Sequence, residues 1–145
     1  MLFMFRTCAF TTVLFVACTG MASADQAKID SATSAGPASL TKDAAVQDWD
    51  GTVLREGTNG WTCLPDQPDN GGTDPYCVND PWMNLIDALM NGTEPTYEDI
   101  GIAYMLLGDA PVSNVVPGGS KEEAGDQWVE DLGAHLMILV PDPAL

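Results

Sequence analysis

The chain has 145 residues, enough for one domain, and carries 21 Asp and Glu against 5 Lys and Arg, a formal charge of −16. Affinity for phosphate backbones and anionic lipid surfaces comes mainly from Lys and Arg, so this balance excludes nucleic-acid partners and an electrostatically held membrane surface. An apolar share of 46% excludes a wholly disordered acidic chain and predicts a folded core.

Residues 1–24 (MLFMFRTCAFTTVLFVACTGMASA) place one positive charge at Arg6, an apolar run over Phe10 to Ala17, and Ala22-Ser23-Ala24 ahead of Asp25. This is the order of a secretory signal peptide with an A-x-A cleavage site. The run is shorter than the ~20 apolar residues of a spanning helix, so no membrane span remains after cleavage, and the expected location is periplasmic or secreted. The minor alternative is a lipoprotein anchored at Cys18, since Phe15-Val16-Ala17-Cys18 loosely follows a lipobox with Phe where Leu is preferred. Cleavage after Ala24 removes Cys8 and Cys18 and leaves Cys63 and Cys77. An even pair in an oxidising compartment, without C-x-x-C spacing, predicts a structural disulfide. Closing a loop of this size is worth about 3 kcal/mol in the chain-entropy picture.

From Asp25 to Leu40 the chain is Ala, Ser and Gly with few large apolar side chains, which predicts a flexible N-terminal tether over 25–40 and one globular domain over 41–145. Thr52 to Glu56 predicts a short strand. Asp80 at an N-cap, Pro81 at the first helical position and Gly92 after the end bracket an amphipathic helix, with Trp82, Leu85, Ile86, Leu89 and Met90 as its core stripe. Ile100 to Leu107 and Leu136 to Val140 are apolar enough to predict two central strands. Together these elements predict an α+β fold: a small single domain with a short mixed or antiparallel sheet packed against one amphipathic helix, rich in loops.

Three constellations hold residues suited to chemistry. Asp48-Trp49-Asp50-Gly51-Thr52-Val53-Leu54 resembles the D-x-D-G-T-V-L signature of haloacid-dehalogenase-type phosphatases. The resemblance implies Asp48 as nucleophile, Asp50 as general acid and base, and a Mg²⁺ beside them. The segment before it, Lys42 to Gln47, does not read as the buried apolar strand such a signature ends, and the only downstream Lys, Lys121, comes after Gly108-Asp109. The plainer reading is a turn leading into a strand. Asp66, Asp69 and Asp74, around Asn70-Gly71-Gly72, are candidate Ca²⁺ ligands in a flexible loop. An EF-hand register starting at Asp66 puts Pro68 at the third position and Cys77 where the bidentate Glu belongs, so any site there is irregular. His135 is the only His and a candidate catalytic base, but no G-x-S-x-G elbow accompanies it, and the plainer reading is a strand-edge histidine.

DWDGTVLREGTNGWTCLPD, the approach from Cys77 to Trp82, GIAYMLLGD with Ser113-Asn114 after it, and HLMILVPDP together resemble a family of small exported bacterial proteins of unknown function. The resemblance covers most of the chain from Asp48 and brings no activity with it. Such proteins continue past the P-D-P with another apolar segment, so the resemblance implies a truncated or variant C-terminus here. The function these readings favour is a non-catalytic exported binding or structural domain whose partner is a small molecule or a protein; the alternative is a Mg²⁺-dependent phosphate-ester hydrolase using the DWDGTVL segment. No cofactor is implied beyond Ca²⁺ or Mg²⁺ at these acidic positions. The leader predicts a mature N-terminus at Asp25, which mass spectrometry of the exported protein checks; a lipid-bearing Cys18 would replace the soluble form with an anchored one.

Overall fold

The stretch after Ala24, poor in large apolar residues, is helical. The computed structural model describes residues 19–116 and 119–141; the leader features from Arg6 to Cys18 and the last four residues lie outside them. Helix α1 (Thr19–Ser34) and the single turn α2 (Ala38–Thr41) occupy the segment predicted as a tether. The correction has a steric reason. Ala32 and Ala35 are fully buried, and Ile29 and Leu40 pack beside them. Small side chains let the helix lie close on the sheet, so close that a Cβ at Gly36 would stand 3.3 Å from the Cβ of Cys77. The Leu106 amide then ties the end of the helix down by donating to the Ala35 carbonyl at 3.0 Å. These packed residues all follow Ala24, so a chain beginning at Asp25 retains the contacts.

The strands are β1 (Ala45–Gln47), β2 (Val53–Arg55), β3 (Trp61–Leu64), β4 (Tyr76–Asn79), β5 (Gly101–Met105), β6 (Val112–Ser113), β7 (Trp128–Val129) and β8 (His135–Leu139). Six form one sheet in the order β2-β1-β3-β4-β5-β8, and β6 pairs with β7 in a separate two-stranded ribbon. The sheet is mixed: β1 runs parallel to β3 and every other neighbouring pair is antiparallel. Cys63 and Cys77 face each other directly across β3 and β4 and are joined, with an S–S distance of 2.10 Å.

Alternation along the strands gives the sheet two apolar faces. Val46, Cys63 and Cys77 meet α1 and α2, with Trp61 and Tyr104 at the margin. Val78 and Ala103 meet the helix α3 (Asp80–Asn91) through Trp82, Met83 and Ile86, with Met137 and Leu139 alongside. The α+β class is as the sequence predicts, with a second helical layer where the tether was expected.

α3 has Pro81 at its start and Gly92, at φ 63°, at its C-cap, but its N-cap is Asn79 rather than Asp80. The Asn79 side chain does not close the helix end. It donates to the Ile100 carbonyl at 3.0 Å and accepts from the Ile102 amide at 2.8 Å, fastening the helix entrance to β5. The predicted stripe is core only at its N-terminal half. Trp82 is buried and Ile86 partly so, whereas Leu89 and Met90 are 53% and 60% exposed and the last turn points Ala88 inward instead. β8 also departs from expectation: it is an edge strand, not a central one.

After β6 the chain makes the single turn α4 (Lys121–Ala124), closed by a capping box between Ser120 and Glu123, and returns through β7 to β8. Removing the Trp82 indole empties the contact between α3 and the sheet, so Trp82→Ala is expected to cost about 3–5 kcal/mol, and Leu89→Ala less than about 0.5 kcal/mol. Urea melts of the two variants beside the wild type make the comparison.

Candidate functional site

The Asp48–Thr52 segment is a turn between β1 and β2. The Asp48 amide donates to the Thr52 carbonyl at 2.8 Å and the Gly51 amide to the Asp48 carbonyl at 3.0 Å, with Gly51 at φ 87°, where a side chain would be strained. Both candidate catalytic carboxylates are engaged. Asp50 accepts from the Thr52 amide at 2.9 Å, and this bond holds its carboxyl below the ordinary range. Asp48 accepts from its neighbour Trp49's amide at 2.9 Å and is ion-paired to Lys28 of α1, whose ammonium this contact holds above its usual value. The segment before the turn does contain a strand, β1, which the sequence reading did not place.

Trp49 stands between the two carboxylates and is fixed from two sides. Its Nε1 donates to the Pro65 carbonyl at 2.7 Å, and the ring meets Tyr76 edge-on with centroids 5.8 Å apart. Burial, followed by the negative charges of Asp109 and Asp74, pushes the Tyr76 phenol well above its usual range. Two open clefts adjoin at this indole. One, of about 600 Å³, is lined by Lys28, Asp66 and Pro68, and the other, of about 240 Å³, by Met83, Ile86 and Asp87; Asp48, Trp49, Asp50 and Met90 border both.

His135 lies elsewhere. Its Nδ1 is 2.8 Å from the Gly133 carbonyl, and its Nε2 faces the Asp109 carboxylate at 3.8 Å. In the tautomer that donates Nδ1–H to this carbonyl the lone pair is on Nε2, and the group facing it is the Asp109 carboxylate, an acceptor rather than a hydroxyl or thiol nucleophile; the pair brings the start of β8 to the turn after β5. Neither residue borders the clefts at Trp49. Ser113 does not complete a triad either: its hydroxyl accepts from the Val115 and Val116 amides, at 3.3 and 3.0 Å.

Of the candidate metal ligands, Asp66 and Asp74 come together and Asp69 does not join them. Asp66 accepts from the Asp74 amide at 2.6 Å, while Asp74 accepts from the Gln67 amide at 3.1 Å and from Asn70 Nδ2 at 2.8 Å. Burial raises the Asp74 carboxyl. Asp69 is exposed at the loop tip with φ 69°. The loop is thus closed on itself and seated against the chain at Asp109-Ala110, where a Cβ on Gly72 would come within 2.4 Å of the Ala110 Cα. Among the described residues, no group of three or more His, Cys, Asp or Glu side chains is disposed to hold a metal ion, and no helix is long and apolar enough to cross a membrane.

In comparisons with known proteins the chain matches no family model, no curated protein and no solved structure.

Burial raises the Asp109 carboxyl above its ordinary value, against the lowering effect of the Ala110 amide and of His135. A carboxyl raised on folding binds its proton more tightly in the native state, so its contribution to stability is complete below the ordinary value of about 4 and is lost as pH rises through the raised value. Asp109→Asn removes that loss. Its melting temperature, relative to the wild type, is expected to rise as pH is stepped upward from about 4, and paired melts from pH 3 to neutrality measure the difference.

Proposed function

We propose that this chain is an exported, non-catalytic binding domain whose ligand seat is the open cleft beside Trp49. The observation that carries the reading is the immobilised indole, held by Pro65 and Tyr76, at the meeting of two clefts. A rigid aromatic face beside Met83, Ile86 and Met90 suits a flat apolar group. The acidic side chains lining the clefts, Asp48, Asp50, Asp66 and Asp87, outnumber Lys28, so the ligand's charged end is cationic, with the indole face available for a cation–π contact. The leader and the Cys63–Cys77 disulfide support export to an oxidising compartment.

The second reading, Mg²⁺-dependent phosphate-ester hydrolysis, draws on the same place, since Asp48 and Asp50 both line the cleft and Lys28 stands at Asp48. It ranks second because Asp50 is already bound by the Thr52 amide.

Calorimetric titration with a flat aromatic amine such as tryptamine, and with indole-3-acetate as its anionic counterpart, tests the binding reading. Tryptamine is expected to bind and the acetate not. Trp49→Ala and Asp50→Asn should each weaken the amine by roughly tenfold or more, about 1.4 kcal/mol. Turnover of p-nitrophenyl phosphate with Mg²⁺ that disappears in Asp48→Asn would put the hydrolase first.

A further inference from the structure

The two clefts at Trp49 hold more unanswered charge than one amine neutralises. Asp48 is paired with Lys28, the only basic residue among the described ones that borders either cleft, which leaves Asp50 at the junction, Asp66 in the larger cleft and Asp87 in the smaller. These acids do not gather at one point. Among the described residues no three acidic side chains are disposed to hold a metal ion, so the charge is spread along the clefts. Asp87 is exposed on α3, and its carboxylate makes no hydrogen bond or ion pair there; only its main-chain carbonyl is engaged, by Asn91 Nδ2 at 2.8 Å.

Hydrogen-bonding capacity narrows the ligand further. The donors of the turn are used inside it, the Asp48 and Gly51 amides on the Thr52 and Asp48 carbonyls, and the Trp49 and Thr52 amides on the Asp48 and Asp50 carboxylates. Trp49 Nε1 is likewise held by the Pro65 carbonyl, so the indole offers a ligand its face and no proton. Pro65 and Pro68, which border the larger cleft, have no amide proton to give. The junction therefore presents acceptors. A phosphate, a carboxylate or a peptide carbonyl finds those donors taken, whereas an ammonium group, which carries donors alone, meets carboxylates on both sides.

Between the acids lies apolar surface. Met83 and Ile86 flank the indole in the smaller cleft, Met90 borders both, and the prolines stand in the larger. A flat group on Trp49 with one cationic end answers the acids of one cleft and leaves those of the other exposed to water. Resting on the reading of these clefts as a ligand seat, we propose that the ligand is a small dication, with a flat apolar centre on Trp49, one ammonium group toward Asp50 and Asp66, and a second toward Asp87. The indole face then serves the centre by stacking and both amines by cation–π attraction.

The probes are para-xylylenediamine and benzylamine, which share a ring and differ by one aminomethyl group, titrated calorimetrically into the full chain. The diamine is expected to bind roughly fivefold more tightly, the gain of one exposed ion pair. Asp87→Asn should remove that advantage and leave benzylamine within about twofold of its wild-type affinity; because Asp87 is exposed, an unchanged melt will show that the variant folds. Asp126→Asn removes the same charge from an exposed position outside both clefts and should leave both affinities as they are. Putrescine, a diamine without a ring, should bind more weakly than the aromatic diamine. If benzylamine binds and the second amine adds nothing, the dication is overturned while the clefts remain a binding site; if neither amine binds, both readings fall. The dication is also overturned if its advantage survives Asp87→Asn, if Asp126→Asn removes that advantage equally, or if putrescine binds as tightly as the aromatic diamine.

Discussion

The cystine at the centre of the main sheet sets the conditions for everything on its α1 side. Cys63 and Cys77 are cross-strand partners, fully buried, and the residues around them are small: Ala32, Ala35, Gly36 and Ala44. A chain with so large an excess of negative charge repels itself when it compacts, and a covalent tie that limits the unfolded ensemble offsets part of that cost. The scarce cations act in the same region. Arg55 donates to the Thr41 and Ala44 carbonyls, and Lys28 pairs with Asp48, so two of the chain's five basic residues fasten the α1–α2 layer to the β1–β2 hairpin.

Legibility in the sequence followed the strength of local punctuation. α3 is readable because Pro81 and Gly92 mark its ends and the apolar spacing is helical, yet spacing alone does not show which side of the last turn faces inward, and there it is the small Ala88, not Leu89 or Met90, that is buried. β1, β3 and β4 are three or four residues long and hold Gln47, Thr62 and Asn79, too short and too mixed for a period of two to stand out. β8 was misplaced for the opposite reason. Its unbroken apolar run suggests burial on both faces, whereas the fold buries one face and leaves the other open. α1 was missed because large apolar side chains were the criterion. Ala32, Ala35 and Gly36, three and four residues apart, bury backbone closely against a flat sheet instead.

At the candidate site the acids could be read from the sequence and their partners could not. Asp48 and Asp50 stand out in a turn, but Lys28 reaches Asp48 from a helix that no large apolar stripe announces, and Trp49, between the two acids, is fixed by Pro65 and Tyr76, which are distant in sequence. The tandem Gly71-Gly72 was the available sign that the acidic loop is packed rather than solvated, since two glycines among turn formers allow close backbone approach. Asp109 meets His135 only because β5 and β8 are neighbours, a pairing that no local pattern encodes.

The connection from Met105 to His135, through the β6–β7 ribbon and α4, separates two adjacent strands by a long stretch of chain. The Cys63–Cys77 hairpin closes over a separation of only 14 residues, and β4 and β5 are linked through α3 directly. Loop-closure entropy adds only slightly to the cost of that pairing, about 0.6 kcal/mol per doubling of length, and β8, like β2, is held in the ladder by one neighbouring strand alone. Detachment of β8 would expose the flank of β5 beside Ile102 and Tyr104 and leave the Cys63–Cys77 tie between β3 and β4 untouched. The position so vacated lies at the rim of the sheet, and what keeps it filled is the pairing of β8 with β5 together with the packing of Met137 and Leu139 beside α3.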